Sequence, residues 1–315
     1  MALSAKVKTA LDETRTLILG SQILLGFQCQ SAFREGFDKL TPASRHMSAA
    51  ALALMLLVIC LLIAPSAFHR ISQDGQSTGR MHSLSGYFAA LALLPFATAL
   101  GLDLTLTLER AWDNRFAGMT AGLLFAAMAI AGWYGVGFYM RRTHGATERG
   151  KAAADRDRRE HAPLHARIDQ MLTEARVILP GAQALLGFQL VIVLSDSFEK
   201  LPADSRLIHG LALLATSLTV VLLITPAALH RIVWAGEESE ELLRIGSYLT
   251  ILSLLPLACG MAADAYVVFS RITETTTSAA IAAGLVLLVL LGFWYAWPLI
   301  DRLMRQPRAR GVLEH

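Results

Sequence analysis

Charge is what this chain has least of. Asp, Glu, Lys and Arg make up 17% of its 315 residues, against about a quarter in an ordinary soluble domain, while hydrophobic residues reach 54%. That deficit, with a mean hydropathy of +0.48, points to lipid as the solvent. Cysteine is almost missing too. Cys29, Cys60 and Cys259 all fall within apolar runs, so they read as small buried hydrophobes and exclude a disulfide framework. No H-E-x-x-H, G-x-S-x-G, P-loop or glycine-rich dinucleotide fingerprint occurs, so the chain does not read as an enzyme and no cofactor is expected. A haem bundle would need paired histidines at matching depth; His69 has a counterpart in the other half, but His46, His82 and His209 do not. The ~10-residue alternation of a transmembrane barrel is also absent.

What the chain does have is itself, twice. Glu13, Arg15, Gly20, Gln22, Gly26, Phe27 and Gln28 recur as Glu174, Arg176, Gly181, Gln183, Gly187, Phe188 and Gln189, at a constant offset of 161 positions (174 − 13). The same offset carries Pro65 to Pro226, His69-Arg70 to His230-Arg231, Pro95 to Pro256, Asp103 to Asp264, and Trp133-Tyr134 to Trp294-Tyr295. Each half holds four apolar stretches, many near the ~20 residues that span a bilayer core. They lie at about 16–33, 48–66, 84–108 and 117–140, then at about 177–194, 208–229, 245–269 and 278–300. The expected fold is all-α: a polytopic membrane protein of eight transmembrane helices in two parallel four-helix repeats. Residues 1–142 form the first repeat, 143–170 a charged cytoplasmic linker, 171–305 the second repeat, and 306–315 a tail whose Leu313-Glu314-His315 reads as the start of a vector-derived tag.

Charge sets the orientation. With the N-terminus inside, the inner segments hold 20 Lys and Arg and the outer loops 8, which accounts for all 28. Lys and Arg resist translocation, so both termini are expected to be cytoplasmic. An even number of helices per repeat inserts both halves the same way up, related by a pseudo-twofold axis along the membrane normal. A net charge of +3 mostly reflects this bias, and no nucleic-acid partner is expected.

The polar residues inside the spans are the candidate site. Gln22, Gln28, Gln183 and Gln189 either glue first helices to their neighbours or line a polar path. Asp103 and Asp264 lie within the outer part of the third helices, where a carboxylate is costly and faces protein, water or a cation. Their structural reading is an ion pair with Arg45 and Arg206, or with Arg110 and Arg271; their functional reading is an ion or proton site. Glu13, Arg15, His69 and Arg70, with Glu174, Arg176, His230 and Arg231, gather at the cytoplasmic helix ends, as an orientation-setting cluster or a pathway mouth. Pro95 and Pro256 are mid-helix and should each leave a carbonyl without its donor. Trp133-Tyr134 and Trp294-Tyr295 read most simply as interfacial anchors.

The run E-T-R-x-L-x-x-G-x-Q-x-L-L-G-F-Q at Glu13–Gln28, followed by A-P-x-A-x-H-R at Ala64–Arg70, resembles a bacterial family of small four-helix membrane proteins of unknown function. The second half repeats the signature, so the chain looks like a tandem fusion of two such units. The resemblance implies a bacterial inner membrane and supplies no activity. The residues lead to a transport protein, channel or carrier, for a small cation or proton, with lipids as neighbours and a homo-oligomer as a further expectation. The rival is a non-transporting scaffold or lipid-sensing protein in which the same polar groups are structural.

Overall fold

The computed structural model describes residues 3–72, 79–135, 164–234, 237–300 and 303–304; within these, the side chains of 3–14, 66–72, 79–85 and 165 are outside the description. Among the described residues the chain is helical, with no strand. The first half contains α1 (Leu3–Ser31), α2 (Pro42–Ser72), α3 (Gly79–Trp112) and α4 (Arg115–Ile130). The second contains α5 (Leu164–Ile192), α6 (Ala203–Ile232), α7 (Glu240–Thr273) and α8 (Thr276–Leu291). The final stretch of the expected linker, from Leu164, is already part of α5.

Seven of these helices are long and apolar enough to cross a membrane. The eighth expected span, α1, is not among those found in the described residues; of its 29 residues, the side chains of 3–14 lie outside the description. Only 6% of the apolar window of α8 is buried. Its run of Ala, Leu and Val is apolar all round, as a lipid-facing helix requires.

The repeat is structural as well as sequential. α1 packs on α2 and α3, and α3 on α2 and α4, in the same pattern as their counterparts in the second half. The turn before α4 passes through Asp113 at φ 48° and the turn before α8 through Glu274 at φ 54°, both left-handed and one offset apart. Each fourth helix runs into a π turn, at Ala131–Gly135 and Gly292–Ala296. From these turns Tyr134 donates to the Ala90 carbonyl and Tyr295 to the Ile251 carbonyl, at 2.6 Å in the latter. Those carbonyls lie one residue before the ones that Pro95 and Pro256 leave without a donor, so the fourth helix bonds the third beside the turn that proline loosens.

The tryptophan beside Tyr134 is not an interfacial anchor. Trp133 is fully buried, and its indole N–H reaches Thr225 Oγ1 at 3.2 Å on α6. The three cysteines also depart from expectation: all are exposed on the bundle's exterior, where a thiol meets lipid or solvent.

Glycine permits the closest approaches. Gly118 and Gly122, four residues apart on one face of α4, sit against α3 so tightly that a Cβ at Gly122 would lie 2.1 Å from Thr105 Oγ1 and 2.4 Å from the Gly101 carbonyl. We expect Gly122→Ala to destabilise the fold by about 1–3 kcal/mol in detergent unfolding. Gly284→Ala, where the new methyl meets nothing within 4 Å, should be neutral or stabilising by up to about 1 kcal/mol.

Candidate functional site

Each unit builds the same polar contact inside its helices. Gln28 on α1 donates from Nε2 to Asp103 Oδ2 on α3 at 2.6 Å, and Gln189 on α5 donates to Asp264 Oδ2 on α7 at 2.7 Å. The expected ion pairs are not formed. Arg45 instead donates to the Asp38 carbonyl and Arg110 pairs with Glu199, so the carboxylate partner in each unit is a neutral amide. An amide offers one or two donors and no charge, which leaves the acid's own charge uncompensated.

The surroundings of the two acids differ. Asp103 is buried and lines a cavity of about 40 Å³ together with Gln28, Ser48 and Thr107. Its far wall is Leu190, Val191, Val193 and Leu194, so the second half closes the first half's site. Asp264 has 21% of its side chain exposed, and His209 Nδ1 stands 4.0 Å from its Oδ1. The other ring nitrogen of His209 is 3.1 Å from the Gln189 carbonyl, and Gln189 also donates to Thr216. His209 and Ser48 join the site although the sequence pattern does not single them out, and they are one offset apart (209 − 48 = 161). Following the repeat through unlike residues would have found them.

The remaining glutamines do not form one polar path with these. Gln183 is fully buried against Gly20, with neither its Oε1 nor its Nε2 partnered, while Gln22 is exposed. The end cluster is described in part. Arg15 is exposed, His230 is buried, Arg176 and Arg231 are half-buried, and Glu174 accepts a bond from Gln170 at 3.3 Å. The side chains of Glu13, His69 and Arg70 lie outside the described ones.

Beyond Asp103, toward the loops, lies a polar pocket of about 340 Å³ that includes Thr41, Glu109, Arg110, Asp113, Glu199 and Arg206. Leu40 and Leu106 line both this pocket and the cavity at Asp103, so they stand between the two. At the pocket's rim Lys39 bridges the halves, 2.8 Å from Glu199 and 2.9 Å from Asp196. The hydrogen bonds from Lys39 hold both carboxyls below the ordinary carboxylate range, and those same bonds hold Lys39 above the usual lysine value.

One family model, described as a family of unknown function (DUF6328), matches residues 3–137 and matches again over 158–298. No curated protein and no solved structure matches the chain.

Two tests follow from this geometry. Gln28→Leu removes the amide that Asp103 bonds, and should cost about 1–3 kcal/mol in detergent unfolding. Adding Asp103→Leu should recover most of that loss, because both polar groups are then gone. The rim cluster has its own pH signature. Depressed carboxyl values stabilise the fold above the unfolded value of about 4 and stop doing so as pH falls through the folded value, while the raised Lys39 contributes in full below its unfolded value of about 10.4 and fades as pH rises through the folded one. The melting-temperature advantage of the native chain over Glu199→Gln should therefore hold across neutral pH and shrink toward zero below about pH 4.

Proposed function

The chain belongs to the DUF6328 family of unknown function, and we propose that it is a membrane transport protein, channel or carrier, for a small cation or proton. In this reading all eight helices span a bacterial inner membrane, with α1 as the eighth span and both termini cytoplasmic. The two units insert the same way up, since α1 and α5 run parallel, with Gly20 beside Gln183 and Phe27 beside Gly187. They are related by rotation about the membrane normal, although contacts between halves that are not reciprocal argue against an exact half-turn.

The observation that carries the reading is Asp103: a buried carboxylate with no cationic partner among the described residues, facing a small cavity next to a polar pocket. A purely structural acid in a span normally finds a cation. Size narrows the cargo. A cavity of about 40 Å³ holds a few waters or a dehydrated cation at most, and excludes organic solutes. Mixed charge in the outer pocket would let a cation approach without trapping it. Leu40 and Leu106 form the constriction that it passes. Asp264, with Gln189 and His209, serves the second unit.

The scaffold or lipid-sensing reading draws on a different observation, the cross-unit staple of Lys39 with Asp196 and Glu199, which suits a structure built to hold still. Ion flux in proteoliposomes under K⁺, Na⁺ and H⁺ gradients separates the two. Transport predicts flux from the native protein that falls to the empty-liposome level in the folded Asp103→Asn, Asp264→Asn variant. Absence of flux for all three ions from folded native protein would leave the scaffold reading standing.

A further inference from the structure

Apart from the ring contact of Phe27 with its own equivalent Phe188, the two units touch through unlike positions. The first unit offers Gly20, Phe27 and Trp112; the second answers with Gln183, Gly187 and Gly210. A Cβ at Gly20 would strike Gln183, one at Gly187 would strike Phe27, and one at Gly210 would lie 2.2 Å from Trp112 Nε1. Along the same seam Gly36 N–H bonds the Leu194 carbonyl at 2.9 Å, and Trp133 reaches the Val221 carbonyl at 3.4 Å.

None of these contacts is reciprocated. The equivalents of Gly20 and Gly187 are Gly181 and Gly26, and a Cβ at either meets nothing within 4 Å. Gln22, Ala49, Cys60 and Thr273 are exposed, and Phe33, the equivalent of Leu194, is 90% exposed. A twofold contact would pair both sets. This one is head-to-tail, so each chain keeps one unused head and one unused tail. The head, on the second unit, carries Gly181, Thr273, Trp294 and Phe188, whose ring touches Phe27 at one edge yet stays 64% exposed; the tail, on the first, carries Gln22, Gly26, Phe33 and Cys60.

Charge repeats with shape. Within the chain, Lys39 and Arg110 on the first unit meet Asp196 and Glu199 on the second. One offset away, Lys200 and Arg271 lie on the unused head, and Glu35 and Asp38 on the unused tail, with every sign kept. Lys200, Arg271, Glu35 and Asp38 are all exposed.

We infer that a second copy of this chain docks head-to-tail, its tail on this chain's head, so that copies close into a ring of units about the membrane normal. The smallest such ring has two chains and four units. The contact between copies repeats the contact within the chain: Gln22 of the next copy packs on Gly181, Phe188 lies over its Gly26, and Lys200 and Arg271 pair with its Glu35 and Asp38. Closure also completes the second site. The wall that Leu190, Val191, Val193 and Leu194 provide over Asp103 would be provided over Asp264 by Cys29, Gln30, Ala32 and Phe33 of the next copy. The greater exposure of Asp264 in the single chain is what a missing wall leaves. The inference is independent of the transport reading, since a scaffold could assemble in the same way.

The test is disulfide trapping in membranes with full-length chains in which Cys29, Cys60 and Cys259, all exposed, are replaced by Ser. One chain carries Gly26→Cys and a second, differently tagged, carries Phe188→Cys. On oxidation a covalent heterodimer should form when the two are co-expressed. Charge supplies the second arm. Lys200→Glu with Arg271→Glu should weaken association about tenfold, read as loss of the oligomer of the 34.2 kDa chain in nanodiscs. Adding Glu35→Lys and Asp38→Lys should restore it. A monomeric native chain in nanodiscs would overturn the inference. So would trapping of Gly26→Cys with itself in place of Phe188→Cys, which would mean a face-to-face pair.

Discussion

The close approach of α1 and α5, with side chains seated over glycine, is the contact on which the molecule's assembly depends. In lipid no hydrophobic effect drives helices together, so association rests on packing and on polar groups that cannot be left in hydrocarbon. Gly20 makes room for the Gln183 carboxamide, and Gly187 for the Phe27 ring. Phe27 then meets Phe188 edge-on, with centroids 4.6 Å apart. Apart from that pair of equivalents the contact joins unlike positions, which sets the second unit at an offset from the first. It also brings α6 against α3 and the π turn of α4, where Trp133 is buried.

That offset decides the environment of the acids. The bond between first and third helix is made within each unit, so both carboxylates are held alike by Gln28 and Gln189. The wall beyond them is supplied by a neighbouring unit, and only the first unit has such a neighbour in the chain. The same local chemistry is therefore buried in one copy and part-exposed in the other. Its polar supports also differ: Ser48 stands near Asp103, where His209 stands near Asp264.

The helices and the repeat were legible because both are written in one dimension: apolar length gives the spans and the offset gives the units. Contacts between helices were harder to read. Gln28 and Asp103 are 75 positions apart, and a repeat states that whatever Asp103 bonds, Asp264 bonds its equivalent, without stating what that is. Arg45 was the tempting partner on grounds of charge, yet it turns to the loop carbonyl of Asp38. Trp133-Tyr134 and Trp294-Tyr295 read alike as anchors because the dipeptides are identical, whereas their burial depends on which face another unit covers. The cysteines were misplaced for a similar reason, since in lipid an apolar residue has no preference for the interior. α1 shows the converse. Its glutamines lower its apolar content, but Gln28 forms the bond that ties it to α3.

A fused pair of units can do what two separate copies cannot, which is to diverge at equivalent positions while keeping a common contact. Had each unit remained a separate identical chain, every interface and every acid in a ring would be the same. Fusion makes half the interfaces intramolecular, and those form at a high effective concentration whatever the protein level. The Asp103 site is thus complete as soon as the chain folds, and the Asp264 site becomes complete only when copies meet. The titratable His209 was free to arise in the second unit alone, where Ser48 marks the first. Any process that uses both acids then depends on assembly through one of them and not the other.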